Sequence, residues 1–150
     1  MLTFEMKTSL ACSAQRLYRW HLEPGAFETL TPPWEPVEVV DRPPCLKEGA
    51  VVTLRVRIGP VPIVWEARHT DFETDRCFVD EQLKGPFRVW RHTHRFKPLG
   101  EQQVEMVDSI SYRLPGGGLV DRLAEPLVRA RLRRMFAYRH QQLVGLFGRV

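Results

Sequence analysis

Apolar and polar residues alternate from the start of the chain. In MLTFEMKTSL, Leu2, Phe4 and Met6 interleave with Thr3, Glu5 and Lys7, the period-two pattern of a strand with one buried face. The period then changes. Ser13 stands at an N-cap position before AQRLYRWH, and Pro24 can open a second segment, GAFETL, so two short helices are predicted. The run TPPWEP ends them, because proline cannot continue a helix and biases the residue before it toward extended backbone.

From Val37 the strand pattern returns six times, over residues 37–41, 51–58, 62–72, 77–83, 87–96 and 104–114. The segments DRPP, GPVP, ETD, KGP and PLGE punctuate these runs, which predicts an antiparallel meander. LPGGG stops the last strand. Beyond it, Leu119, Leu123, Leu127, Leu132, Met135, Phe136, Leu143 and Phe147 recur near helical spacing, which predicts one long amphipathic helix over 119–147. Pro126 is expected to kink it or mark a restart. The predicted fold is α+β: a curved antiparallel sheet of about seven strands wrapped around the long C-terminal helix, with two short helices after the first strand. Only that final helix is large enough to cover the apolar face of the sheet, and the space between them is where a ligand would sit.

Composition adds limits. A chain of 150 residues, 43% hydrophobic and 27% charged, is expected to form a single domain over 1–150 with a real core. No apolar run is long enough to span a bilayer, so no stable membrane insertion is expected. The first residues lack the basic and apolar regions of a signal peptide, and the expected location is cytoplasmic. Cys12, Cys45 and Cys77 are far apart and read as reduced, mostly buried thiols. The net charge of +4 raises nucleic acid as a partner. The segment RARLRR, however, reads as a solvated helix face, with Glu125 four residues before Arg129, and no nucleic-acid partner is predicted. Gly116-Gly117-Gly118 lacks the Lys-Ser/Thr of a phosphate-binding loop and reads as a turn. The sequence carries no signal of oligomeric state.

Several residues together carry a family likeness. They are Pro32-Pro33-Trp34, Phe78-x-Asp80, Gly85-Pro86-Phe87, Trp90-x-His92-x-His94, Asp108, Tyr112-x-Leu114-Pro115 and Met135-Phe136-x-x-Arg139. On these the chain resembles the START-like (SRPBCC) superfamily over essentially its whole length, in particular small bacterial single-domain members of cyclase/dehydrase-like type. The resemblance implies a helix-grip fold and a cavity for lipids, sterols, quinones or polyketides. It supplies no catalytic motif to carry over.

The most informative stretch is GPFRVWRHTHRF. Alternation puts Arg88, Trp90, His92, His94 and Phe96 on one face of the strand and Phe87, Val89, Arg91, Thr93 and Arg95 on the other. The arginines mark the second face as solvent-facing. A three-residue loop at Lys84-Gly85-Pro86 would pair Phe78 with His92 and Asp80 with Trp90. A second at Leu99-Gly100-Glu101, with Gly100 free to take positive φ, would pair His92 with Asp108, His94 with Met106 and Trp90 with Ile110. The inner face then reads Phe78, Asp80, Trp90, His92, His94, Phe96, Met106, Asp108, Ile110 and Tyr112. Trp65 and His69 join from the neighbouring strand, and Met135 from the helix.

This is an apolar wall crossed by a polar band, with His92 and Asp108 as its expected pair. Four readings of the band stay open. It is a buried framework, it recognises the polar end of a ligand, it is an acid–base pair with His92 or His94 assisted by Asp108, or it is an H-x-H metal site. No metal or cofactor is predicted, since no third ligand stands out beyond Asp108. The leading expectation is a protein that binds a hydrophobic or amphipathic small molecule. A cyclase/dehydrase-like enzyme and an interaction module with an incidental cavity are the alternatives.

Overall fold

The structure is a computed structural model describing residues 1–150. Strand β1 (Leu2–Leu10) leads into helices α1 (Ala14–Leu22) and α2 (Ala26–Leu30). Six strands follow: β2 (Val37–Asp41), β3 (Val51–Ile58), β4 (Val61–Glu73), β5 (Cys77–Lys84), β6 (Val89–Gly100) and β7 (Gln103–Arg113). Helix α3 (Gly118–Phe147) ends the fold. The strands form one antiparallel sheet in the order β1-β7-β6-β5-β4-β3-β2, so all neighbours are sequential except β1 and β7. The curved sheet and its long terminal helix are the expected helix-grip arrangement.

Local chemistry explains the element boundaries. The Ser13 side chain accepts a hydrogen bond from Arg16 N at 3.1 Å, capping α1. The chain turns into α2 at Gly25 with φ +93°, which costs glycine no Cβ clash. After β7 the Asp121 carboxylate accepts from Leu114 N at 2.7 Å, fixing the start of α3 beneath the glycine turn.

The core divides into two apolar clusters. One contains Leu10, Leu17, Tyr18, Phe78, Phe96, Met106 and Leu143. The other contains Phe4, Trp90, Ile110, Tyr112, Leu132 and Phe136. On each of four elements a polar residue stands between a member of one cluster and a member of the other. His92 and His94 lie between Trp90 and Phe96, Asp108 between Ile110 and Met106, His140 between Phe136 and Leu143, and Thr8 between Phe4 and Leu10. The polar band is therefore a belt across the interior.

Several expectations are corrected. Both hairpin registers differ from the predicted ones by two residues. Phe78 pairs with His94 and Asp80 with His92, while His92 pairs with Ile110, His94 with Asp108, Phe96 with Met106 and Trp90 with Tyr112. In the first hairpin, the Gln82 side chain donates to Phe87 O at 2.7 Å and accepts from Phe87 N at 3.1 Å. This side chain takes the place of a ladder partner and widens the loop. In the second, the turn sits at Glu101-Gln102 with an irregularity between Pro98 and Gly100, and Gly100 does not adopt positive φ. A two-residue slip keeps every side chain on its face, so the inner-face set survives.

Phe87 is an exception to the predicted faces. Lying ahead of β6, it turns inward and packs on Trp65, Trp90 and Tyr112 with ring centroids 5.7, 4.8 and 5.9 Å apart. Arg88 also precedes the strand and is exposed. The leucine stripe of α3 is corrected too. Leu119, Leu123 and Leu127 are exposed, whereas Asp121, Leu132, Phe136, His140 and Leu143 face inward. Continuing the leucines by four reaches Arg131, not Leu132, so these residues lie on a different helical face. The helix runs through Pro126 without a restart. Of the thiols, only Cys12 is buried; Cys45 is exposed and Cys77 intermediate.

Candidate functional site

Between the concave face of the sheet, α2 and the segment before β3, and one side of α3 lies a cavity of about 210 Å³. Its walls are apolar: Leu30, Val39, Leu54, Trp65, Trp90 and Met135 contribute. The Trp65 and Trp90 rings meet edge to face at 5.2 Å, which holds both indoles in fixed orientation. The floor is the polar belt. β6 supplies His92 and His94, β5 supplies Asp80 and β4 supplies His69. α1 adds His21 and α3 adds Arg139. All five histidines of the chain are buried, and four of them line this cavity.

The belt is a connected network. His92 Nε2 donates to Asp108 Oδ1 at 2.7 Å, so the anticipated pair forms on a diagonal rather than straight across the ladder. His140 Nε2 donates to the other oxygen of Asp108, also at 2.7 Å, and its Nδ1 meets the Thr8 hydroxyl at 2.6 Å. His94 Nε2 donates to Asp80 Oδ2 at 2.7 Å. The rings of His92 and His94 stack with centroids 3.7 Å apart, and Phe78 covers the other face of His94 at 4.2 Å. His92 Nδ1 lies 3.5 Å from Asp80 Oδ2, and His94 Nδ1 lies 3.5 Å from Asp108 Oδ1; neither approach is a hydrogen bond.

Burial and neighbouring charge set the protonation. Burial alone would raise the Asp80 carboxyl, but His92 and the His94 N–H outweigh it and hold it below the ordinary carboxylate range. Burial acts the same way on Asp108, and the His140 and His92 donors again win. Burial, reinforced by His92, lowers His94 to about 4. Burial lowers His21 to about 3, against the opposing bond from its Nδ1 to Leu17 O at 2.8 Å. Both rings are therefore neutral at pH 7. Each keeps a buried nitrogen without a hydrogen-bond partner, His21 Nε2 and His94 Nδ1, and His69 Nδ1 is a third. Asp80, His92 and His94 also place one ligand atom each within 4.8 Å of one another.

A family-wide sequence pattern described as "Polyketide cyclase / dehydrase and lipid transport" matches residues 10–137. The chain belongs to this family. As a polyketide cyclase/dehydrase and lipid transport family member, it shares its fold with many solved structures. The Zhui aromatase/cyclase from Streptomyces sp. R1128 superposes with a TM-score of 0.73 at 18% identity, covering 96% of this chain and 92% of that one. A START superfamily protein from Mycobacterium smegmatis gives 0.68 at 14%, covering 97% and 96%. A nucleoside-diphosphate sugar epimerase from Corynebacterium glutamicum gives 0.70 at 28% identity. That match covers 93% of this chain but 28% of the epimerase chain. A search of curated protein sequences finds no match.

Within this family fold, the anticipated site residues separate into two groups. Trp65, Phe78, Asp80, Trp90, His92, His94 and Met135 line the cavity. Phe96, Met106, Asp108, Ile110 and Tyr112 share their face but stand behind the wall, in the core. Asp108 is hydrogen-bonded to the cavity lining through His92. Sequence reasoning did not anticipate His21, His140 or Arg139 as members of the site. A histidine at the end of the amphipathic segment AQRLYRWH gives no local sign of pointing inward. The adjacent pair Arg139-His140 reads as the polar face of a helix.

Proposed function

We propose that the chain binds a hydrophobic or amphipathic small molecule, of lipid, quinone, sterol or polyketide-like kind, in the cavity between sheet and α3. One observation carries this reading. Apolar walls close on a floor whose buried ring nitrogens lack protein partners. An unpaired buried polar atom costs about 1–3 kcal/mol, and a ligand group or bound water relieves that cost. The family description, which joins lipid transport to cyclase chemistry, agrees with the reading. Native mass spectrometry of the protein as isolated tests it, with a co-purifying small molecule expected. A hundredfold excess of ligand over its Kd stabilises the folded state by about 2.7 kcal/mol. A broad screen of fatty acids, quinones, sterols and aromatic polyketides that moves neither melting temperature nor tryptophan emission would refute it.

Catalysis of the cyclase kind is a second reading, favoured by the state of His94. Its Nε2–H is held by Asp80 and its Nδ1 is bare and neutral, the arrangement of a base oriented by a carboxylate. In this reading His94 takes a proton from the bound molecule, and Asp108 acts by positioning His92. Loss of turnover in His94→Gln with ligand affinity retained supports catalysis; turnover by that variant at the wild-type rate rejects it.

A further inference from the structure

Two arginines line the cavity. Arg42 is paired with Glu28. Arg139 forms no ion pair, and its Nε is buried without a hydrogen-bond partner. The side chain projects from α3 with its guanidinium 5.2 Å from the Phe136 ring centroid. Asp80 and Asp108 are the nearby anions, and both are already engaged. Asp80 accepts from His94, and Asp108 accepts from His92 and His140.

A lysine so placed could shed its proton, but an arginine remains charged. Burial disfavours the Arg139 cation, and the two aspartates offset this only in part. The fold thus keeps a permanent cation at the cavity floor with open donors and no counter-charge at bonding distance. Two neighbouring ring nitrogens cannot serve an anion: His21 Nε2 and His94 Nδ1 are bare acceptors on neutral rings.

We propose that Arg139 anchors the carboxylate of an amphipathic acid whose apolar body lies against Trp65, Trp90 and Leu54. This rests on the cavity reading above and names the ligand class for it. A planar guanidinium matches a carboxylate through two parallel N–H bonds. Arg139 is the one permanently charged donor of the lining without an acidic partner, so discrimination between an acid and its uncharged analogue falls to this side chain.

The test uses the neutral fluorophore N-phenyl-1-naphthylamine as a cavity probe, displaced by matched pairs: decanoate against decan-1-ol, and 4-phenylbutyrate against 4-phenylbutan-1-ol. In the wild-type protein the acids are expected to displace the probe at least tenfold more effectively than the alcohols. Arg139→Gln should remove that preference, weakening displacement by the acids at least tenfold more than displacement by the alcohols. Its ligand-free melting temperature should be equal or higher, because the uncompensated charge is gone. Arg139→Lys should keep part of the preference. Equal competition by acid and alcohol in the wild type, a preference that survives Arg139→Gln, or a large fall in melting temperature of that variant overturns the proposal. Failure of the fluorophore to bind the wild-type protein at all removes the cavity reading beneath it, which separates the two failures.

Discussion

Lowering the pH from 8 to 5 should weaken the fold by an amount that follows from two histidines. His94 is lowered to about 4 and His21 to about 3 by burial in the belt, against 6.5 in an unfolded chain. As pH falls, the unfolded chain takes up both protons first. The contribution is therefore complete above pH 6.5 and is lost as pH drops toward the folded values. At pH 5 each histidine has lost about 2 kcal/mol, so the pair removes about 4 kcal/mol, a large part of the 5–15 kcal/mol typical of a domain. Asp80 and Asp108 stay ionised throughout this window and withdraw their share only below about pH 4. Urea titrations followed by tryptophan emission at pH 5, 6, 7 and 8 measure this directly. With a slope of about 2 kcal/mol per molar, the midpoint should fall by about 2 M. His21→Leu removes one of the two protons and should halve the pH dependence. A midpoint flat from pH 8 to 5, or one that rises toward acid, would show that these rings are not held neutral and would refute the account of the belt.

His92→Leu and Asp108→Leu should each cost about 1–3 kcal/mol, and more if the stranded partner stays charged. The double variant should recover only part of this, because His140 also donates to Asp108; full additivity in chemical denaturation would refute the coupling. Leu132→Ala, in the buried face of α3, should lose about 2–5 kcal/mol. Leu127→Lys, on the exposed face, should change stability by less than about 0.5 kcal/mol, and thermal melts that reverse this order would contradict the helix orientation. Elemental analysis of protein prepared without chelator should find no stoichiometric zinc, iron or copper. One ion per chain, lost on changing His92 or His94, would make Asp80, His92 and His94 a metal site.

The local pattern determined which elements form and which face of each strand is buried. Trp90, His92, His94 and Phe96 were readable as one set because side chains alternate along any strand. For the same reason that set outlasted two hairpin registers that each differed by two residues. The registers themselves depend on tertiary detail, such as the Gln82 side chain bonding both backbone groups of Phe87. The orientation of α3 does as well. Leu119, Leu123 and Leu127 form as regular a stripe as Leu132, Phe136, His140 and Leu143, and only packing against the sheet chooses between them. The candidate site was legible in part: alternation placed His69, His94 and Asp108 on the inner face, but His21, Arg139 and His140 come from two helices, and no periodicity links them to those strands. They converge because the curved sheet closes around α3 and brings their side chains into one belt. Once there, the exclusion of water gives each unpaired nitrogen its energetic weight, which is why the chemistry of this protein becomes legible only in three dimensions.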